Sequence, residues 1–321
     1  MVSKAIASNK RPFVMKKDSS VLADFADGGA VAGYPGDYYG RIYYVNMFTG
    51  DSSYDGLSWD TPFEQVNDAI TASETYRAAV SGADNDYQRN IIYIQAITGG
   101  YDPLTALPSY CDMIGIGSNV RGGSGGTVSI WSETGDAAVG SAKGLYMTNL
   151  QFSSSVAGSY AMDAVTILRS TIENCAFMIH DGGSGALGGA WRSVGHFAGN
   201  TVKDCVFGLS NAPYACANGF EHSGGVGNNN WFENNVFLGT AYPVKIAQDL
   251  NDNGTVWKNN FMHSIYGPTE PTSGSQFGAN CILIGNYMVG GSTAVIGVAD
   301  SQMIANITQD GGVTAVESST S

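Results

Sequence analysis

Short apolar runs with a period of two alternate with Gly- and Asn-rich turns along most of the chain. Examples are RIYYVN at 41–46, IIYIQAI at 91–97 and TVSIW at 127–131. Alternation of this kind predicts β-strands with one buried face, and Gly and Asn between the runs predict tight turns. Because such runs continue from residue 91 onward, we expect an all-β body.

One segment has helical spacing instead. Apolar residues recur at Phe63, Val66 and Ile70, and the preceding Thr61-Pro62-Phe-Glu64 has the form of a capping box with proline at the first helical position. The pattern predicts a helix over about residues 62–80 with one face to bury. We expect this helix to cover an open end of the β body.

A motif recurs in the second half of the chain: Asn or a similar residue, two variable residues, then a large apolar residue. Its apolar positions are 152, 177, 207, 237, 261 and 288, which lie 24 to 30 residues apart. A repeat of this length indicates a solenoid or a propeller, and a propeller blade needs about 40 residues. Because the repeats contain β runs and no helix, they predict a parallel β-helix with one rung per repeat.

Aligning the 30-residue repeats predicts which side chains stack. The expected inward columns are Phe177–Phe207–Phe237, Ile172–Val202–Phe232 and Cys175–Cys205; the expected turn column is Asn174–Asp204–Asn234 and the outer column Glu173–Lys203–Glu233. Asn tolerates the left-handed turn conformation. Opposite charges that alternate along a column attract each other.

Two segments resemble the entry region of the pectin-lyase-like superfamily. They are residues 43–70, with a strand, a Gly/Asp-rich loop and Trp-Asp-Thr-Pro-Phe before the helix, and residues 90–101 with 107–119, which form the first rungs. The resemblance implies a right-handed single-stranded parallel β-helix of about eight rungs. On this basis we divide the chain into an extended basic arm (1–40), a strand, loop and capping helix (41–90), the β-helix (91–310) and a tail (311–321).

Charge is distributed unevenly along the 321 residues. The net charge is −13, yet residues 1–17 contain five basic side chains and no acidic one. The acidic body is expected to repel nucleic acid, since binding to phosphates is mainly cationic. The arm is therefore the predicted contact with partners, through Lys4, Lys10, Arg11, Lys16 and Lys17.

The chain carries no signal that directs it to a membrane. No run approaches the ~20 apolar residues of a membrane span. The first twenty residues lack the apolar core of a secretory signal, so with Met1 as the natural start we expect no general secretion. The five cysteines show no CxxC and no Cys/His metal spacing, which predicts reduced, mostly buried thiols and no zinc.

The sequence contains few motifs that are typical of a catalytic site. The Asn-Thr-Asp, Asp-Asp, Gly-His-Gly and Arg-Ile-Lys signatures of pectin hydrolases are absent, although Val244-Lys245-Ile246 faintly resembles the last. In the 30-residue register Arg192, His222 and Asp252 stack, and Trp191 lies over Glu221. This column is a candidate sugar site with Glu221 or Asp181 as acid or base. A salt-bridged ladder is the simpler interpretation.

No cofactor is required by these residues, but calcium is a candidate ligand. Asp51 and Asp55, with Asp60, have the oxygen-ligand spacing that a calcium ion prefers. The alternative is that they form Asx turns leading into the helix.

Three functions remain open at this stage. We favour a structural protein of the virion surface, such as a capsid decoration protein, whose arm binds capsid or other virion proteins and which forms a homotrimer. The second is a glycan-cleaving tailspike or depolymerase, a polysaccharide lyase or hydrolase. The third is a non-catalytic adhesin that binds a surface glycan. The missing catalytic signatures and the basic arm favour the first.

Overall fold

The structure is a computed structural model that describes most of the chain beyond residue 39. The described residues are 16–17, 20–21, 40–79, 89–117, 128–179, 188–208, 217–239, 242–247, 253–264, 275–290, 295–296, 301–310 and 313–317.

One helix and 29 strands are present in the described residues. The helix α1 is Val66–Ala79, and the strands up to residue 154 are β1 Lys16–Lys17, β2 Ser20–Val21, β3 Ile42–Val45, β4 Asn90–Gln95, β5 Cys111–Ile116, β6 Val128–Ser132, β7 Val139–Lys143, β8 Tyr146–Thr148 and β9 Leu150–Ser154. The strands that follow up to residue 239 are β10 Tyr160–Leu168, β11 Thr171–Glu173, β12 Ala176–Ile179, β13 Gly189–Ser193, β14 Phe197–Ala198, β15 Thr201–Lys203, β16 Val206–Phe207, β17 Asn218–His222, β18 Trp231–Glu233 and β19 Val236–Gly239. The last are β20 Tyr242–Ile246, β21 Val256–Lys258, β22 Phe261–Ser264, β23 Ser275–Gln276, β24 Ile282–Ile284, β25 Tyr287–Gly290, β26 Val295–Ile296, β27 Gln302–Ile304, β28 Asn306–Asp310 and β29 Val313–Glu317.

The strands form three long parallel sheets. The first sheet has the order β3-β4-β5-β8-β11-β15-β18-β21-β24-β27, and the second has β10-β13-β17-β20-β23-β26 with β7 and β14 also paired to β10. The third sheet runs from β6 through β9, β12, β16, β19, β22, β25 and β28 to β29. The chain visits the first, third and second sheets in turn and then moves one strand along each.

This path confirms the predicted fold class, a right-handed single-stranded parallel β-helix with an N-terminal helix. Right-handed crossovers are the rule for parallel strands. Within the described residues the first sheet contains ten strands, compared with the expected eight or so; one of them is β3, which pairs in parallel with β4 and adds a rung before the helix. β29 pairs antiparallel with β28 at the C-terminal end.

The predicted inner columns are confirmed. Phe152, Phe177, Phe207 and Phe237 are in register and almost fully buried, with neighbouring rings 4.5–5.4 Å apart and nearly parallel. Ile172–Val202–Phe232 is a second such column. Because every rung adds one large apolar side chain at the same place, the buried apolar area increases with each rung of the rod.

The corner between the first and third sheets explains the repeated Asn. Asn174, Asp204 and Asn234 have φ of 50°, 56° and 56°, the left-handed conformation that the sequence predicted. The residue after each of these points inward. In later rungs the inward residue that follows the turn is a buried asparagine, which gives the column Asn235–Asn260–Asn286–Asn306. The side-chain amide of each asparagine donates a hydrogen bond to the side-chain oxygen of the asparagine in the next rung.

The predicted capping box is wrong, and α1 begins at Val66 rather than residue 62. Phe63 forms a parallel bridge with Val45, and its amide donates to the carbonyl oxygen of Tyr44 (2.9 Å). Because the backbone of Phe63 pairs with β3, it is extended and is not part of the helix. Thr61 instead donates its hydroxyl hydrogen to Asp55 (2.7 Å).

The helix nevertheless covers the rod end as predicted. Val66, Ala69, Ile70 and Ser73 are buried against the apolar core. The amide of Asn67 donates to the carbonyl oxygen of Pro103 (2.8 Å) and its oxygen accepts from Thr105. α1 is thus fixed to the first rungs by apolar packing and by side-chain hydrogen bonds.

Candidate functional site

The outer face of the second sheet carries a column of alternating charge. Asp163 on β10, Arg192 on β13, Glu221 on β17 and Lys245 on β20 are in register on neighbouring strands. Parallel stacking at about 4.8 Å brings each charge next to its opposite. We call this column, together with Asp136, Tyr160 and Asn218, the polar cluster.

The sequence prediction for this sheet is wrong by one residue. Arg192 pairs with Glu221 and not with His222, and Trp191 pairs with Phe220 and not with Glu221. The turn from the third sheet to the second is one residue shorter in the later rung, from Phe207 to Phe220 compared with Phe177 to Trp191. A shift of one residue moves every side chain of that strand to the opposite face.

His222 therefore lies inside the β-helix. It is buried, packs against Phe197 with ring centroids 6.1 Å apart, and donates from Nε2 to the carbonyl oxygen of Gly195 (2.9 Å). Burial lowers its pKa. Asp181 and Asp252, the other predicted members of this site, lie outside the described residues.

Glu221 is the most enclosed charge of the polar cluster, with 8% of its surface exposed. Its Oε2 accepts hydrogen bonds from the Tyr160 hydroxyl (2.7 Å) and the Asn218 amide (2.8 Å). Its Oε1 accepts from Lys245 Nζ at 3.1 Å. Both carboxylate oxygens are thus occupied by protein donors, and three fixed donors hold the carboxylate in one orientation.

Arg192 forms a two-pronged pair with Asp163. Nε donates to Oδ1 at 2.9 Å and Nη2 to Oδ2 at 2.5 Å, and the guanidinium lies 4.3 Å from the centre of the Tyr160 ring. The hydrogen bonds to Asp163 raise the pKa of Arg192. Burial, and then the hydrogen bond to the Glu221 carboxylate, raise the pKa of Tyr160. Both groups stay protonated at neutral pH.

The carboxyl pKa of Asp136 is raised above its usual range. Burial is the main cause, and the nearby Asp163 carboxylate adds to it. Its Oδ1 accepts a hydrogen bond from the Tyr160 backbone amide (2.6 Å). A carboxyl group whose pKa is raised in this way is a candidate general acid.

Gly189 leaves the space in which the Tyr160 ring lies. A Cβ at this position would lie 2.8 Å from Cε1 of Tyr160, which packs across β13 at that point. Asp136, Tyr160, Asp163 and Asn218 were not predicted as site residues from the sequence, and Lys245 belonged only to a faint motif. Alternating charges at spacings of 29, 29 and 24 residues were the available signal.

The calcium candidates form Asx turns in the structure. Oδ1 of Asp51 accepts from the amide and hydroxyl of Ser53 (2.8 and 2.7 Å), and Oδ1 of Asp55 accepts from the amide of Leu57 (3.1 Å). In the part of the chain that the structure describes, no three His, Cys, Asp or Glu side chains form a metal-binding group. A role for calcium stays a prediction.

The remaining predicted contact residues are on the arm. Lys4, Lys10 and Arg11 lie outside the described residues, and Lys16–Lys17 form a short antiparallel pair with Ser20–Val21. Among the tryptophans, which are candidates for stacking on sugar rings, Trp191 and Trp257 are core residues, whereas Trp59 and Trp231 are exposed by 42% and 38%. No described helix has the length and apolarity that crossing a bilayer demands.

Comparison with known proteins extends to the fold alone. No protein-family model matches the sequence, and no curated protein matches it. Among solved structures, pectate lyase Pel9A matches with a TM-score of 0.47 and 17% identity, covering 84% of this chain and 68% of that one. A pectin methylesterase in complex with a hexasaccharide matches with 0.43 and 13% (88% and 86% covered), and the GH136 lacto-N-biosidase from Eubacterium ramulus with 0.34 and 10% (82% and 62%).

Proposed function

We propose that this protein is a non-catalytic structural protein of the virion surface, anchored to other virion proteins by its N-terminal arm. The observation that carries the non-catalytic part is the environment of Glu221. A general acid or base must exchange a proton with substrate. Glu221 instead accepts hydrogen bonds from Tyr160, Asn218 and Lys245 and is enclosed by them.

The charges on the other outer faces support the same role. Lys203 pairs with Glu173 (2.6 Å) along the first sheet, as the sequence predicted, and Lys258 pairs with Glu233 (2.7 Å) in the following rungs. Charges that are neutralised between rungs reinforce the rod. They do not present an uncompensated charge to a substrate.

The distribution of charge supports anchoring by the arm. Five basic residues and no acid stand in residues 1–17, while the rest of the chain is strongly acidic. Such an arm can bind an acidic protein surface while the acidic body stays in solvent. We expect the anchored form to be a homotrimer.

Deletion of residues 1–39 tests this proposal directly. Gold-labelled antibody imaging of native particles should show label spread over the shell for the full chain and none for the deletion variant. Circular dichroism should show the same β signal for both. A full-length variant with Lys4, Lys10, Arg11, Lys16 and Lys17 changed to Gln separates the effect of charge from that of length. Unchanged attachment of the deletion variant, or label confined to tail tips, would contradict the proposal.

The partial burial of Asp136 beside the Asp163 carboxylate, which raises its pKa, favours glycan cleavage as a second candidate function. Asp136 would act as the acid, with the Asp163 carboxylate beside it. The test is incubation with a panel of acidic and neutral polysaccharides, followed by measurement of new reducing ends and of unsaturated sugar products. Cleavage that is lost in Asp136→Asn and retained in Glu221→Gln would establish this candidate and overturn the non-catalytic assignment.

A further inference from the structure

Over six consecutive strands of the third sheet, from β12 to β28, the described side chains of the outer face are apolar except for His263. One outer column is Val206–Val236–Phe261–Tyr287–Ile307 and a second is Leu238–His263–Val289. These residues point outward, since the residues beside them, among them Phe207, Phe237, Met262 and Met288, are buried in the core. We call these two columns, with Met178 on β12, the apolar face.

The apolar face is a surface and not part of the core. Its members have the same intermediate exposure as Glu173 and Lys258 on the first sheet, and Ile307 is 37% exposed. The rings of Phe261 and Tyr287 stack in parallel along it, with centroids 5.5 Å apart. Contiguous apolar surface of this kind commonly marks an interaction site.

The three outer faces differ sharply in charge. The first sheet presents the column Glu173–Lys203–Glu233–Lys258, and the second presents Asp163–Arg192–Glu221–Lys245. Among the outward side chains that the structure describes on β12, β16, β19, β22, β25 and β28, none is Asp, Glu, Lys or Arg. His263 is the only imidazole among them, and burial lowers its pKa, so it is neutral at pH 7.

We infer that the apolar face binds a second copy of this chain. Two copies with a net charge of −13 each repel one another, and the repulsion is smallest where both surfaces are uncharged. Their ladders also share one repeat, because every rung in both copies rises by about 4.8 Å. Ridges of one copy therefore fit the grooves of the other along the whole face.

The size of the apolar face predicts a weak contact. Six strands at about 4.8 Å and two columns that each take about 7 Å of strand length cover roughly 400 Å² per copy, below the roughly 800 Å² per partner of a standard interface. This inference rests on the proposed structural role, since copies attached to one particle are held at a high effective concentration. A weak face is then sufficient to order neighbouring copies.

Sedimentation equilibrium of the purified full-length chain, from micromolar to several hundred micromolar, tests the inference. We expect a reversible increase in mass with concentration. Added NaCl should strengthen the association, because salt screens the repulsion between acidic bodies. A chain that stays monomeric over the whole range, or an association that salt weakens, would overturn the inference.

Two isoleucines provide a matched pair of variants. Ile307 belongs to the apolar face, whereas Ile304 is on the outer column of the first sheet, and they are exposed by 37% and 42%. Ile307→Lys should weaken self-association more than tenfold, because it places an unpaired charge in the contact. Ile304→Lys should leave it unchanged. Phe261→Lys extends the test to the centre of the face, with circular dichroism as the check on folding.

Equal effects of the two isoleucine variants would overturn the assignment of this face. Because the measurement uses purified protein, it is independent of attachment to particles. Failure of the inference would therefore leave the arm-deletion test unaffected. Failure of arm anchoring would likewise leave the solution association in place.

Discussion

The buried asparagine column shows how a single residue fixes a corner of the rod. Oδ1 of Asn260 accepts from the backbone and side-chain amides of Asn235 (2.9 and 3.0 Å). Its Nδ2 donates to the carbonyl oxygen of Phe232 and to Oδ1 of Asn286, both at 3.0 Å. Each amide thus satisfies polar groups in two neighbouring rungs that would otherwise be buried without partners.

We expect Asn260→Ala to lower the free energy of unfolding by about 2–4 kcal/mol. The change leaves the Asn235 backbone amide and the Phe232 carbonyl group buried without partners, at roughly 1–3 kcal/mol each. Urea unfolding measures the loss. Asn234→Gly is the control, because Asn234 is an exposed turn residue with φ of 56° that glycine adopts readily, so its cost should stay below about 1 kcal/mol. Similar losses in both variants would show that the ladder is unimportant.

His222 gives a pH dependence whose sign follows from its burial. Its pKa is lowered in the folded protein, so the unfolded chain binds the proton first as pH falls. The stability is complete above the unfolded pKa of about 6.5 and decreases as pH falls from there toward the lowered folded value. His263, whose pKa burial also lowers, adds to the same window.

We expect His222→Gln to flatten this dependence between pH 7 and pH 5. Unfolding in urea at several pH values measures it, with His263→Gln as the matched variant. Glu173 and Glu233 act at lower pH, because hydrogen bonds from Lys203 and Lys258 hold their pKa below the usual range. If the free energy of unfolding changes with pH in both histidine variants as it does in the unmodified protein, carboxylates and not histidines cause the loss of stability.

At the scale of elements, the sequence predicted those strands that lie close to the repeated phenylalanine. Phe177, Phe207 and Phe237 anchor the third sheet, and the first-sheet strands precede them by a constant corner, so a 30-residue alignment placed both correctly. The second sheet is separated from this anchor by turns of variable length. Its register could not be derived from spacing, and the polar cluster was therefore missed although Arg192 and Glu221 had been selected.

The helix illustrates a similar competition between local and tertiary signals. Thr61, Pro62 and Glu64 form a good capping sequence, but the buried Phe63 contributes more by extending β3. Tertiary packing often overrides local propensity in this way. The apolar positions Val66 and Ile70, which depend on spacing alone, were assigned correctly.

We expect Ile70→Ala to destabilise the protein by about 2–4 kcal/mol, since it leaves a cavity between α1 and the first rungs. Glu64→Ala should have no measurable effect, because Glu64 is exposed and lies outside the helix. Thermal and urea unfolding of the two variants measure the difference. A loss of stability in Glu64→Ala as large as that in Ile70→Ala would show that Glu64 does cap the helix.

For the whole molecule, the buried thiols report how the rod opens along its length. Cys111 lies on the third strand of the first sheet, Cys175 and Cys205 in the middle rungs, and Cys281 just before the last but one strand; all four are buried. In a solenoid each rung contacts only its neighbours, so terminal rungs open at lower free energy than central ones. The N-terminal end is covered by α1, whose Ser73 hydroxyl contacts the Cys111 sulfur (3.9 Å).

Alkylation by iodoacetamide in sub-denaturing urea, followed by peptide mass spectrometry, should therefore modify Cys281 first, Cys111 later, and Cys175 and Cys205 last. Burial raises the pKa of the Cys111 and Cys205 thiols, so reaction requires opening of the rung that holds them. The Cys216→Ser background removes the one thiol outside the described residues. Adding Ile70→Ala should accelerate Cys111 selectively, because it weakens only the N-terminal cover. Equal rates for all four thiols would mean that the rod opens in one cooperative step. The prediction that its terminal rungs open separately from the central ones would then be wrong.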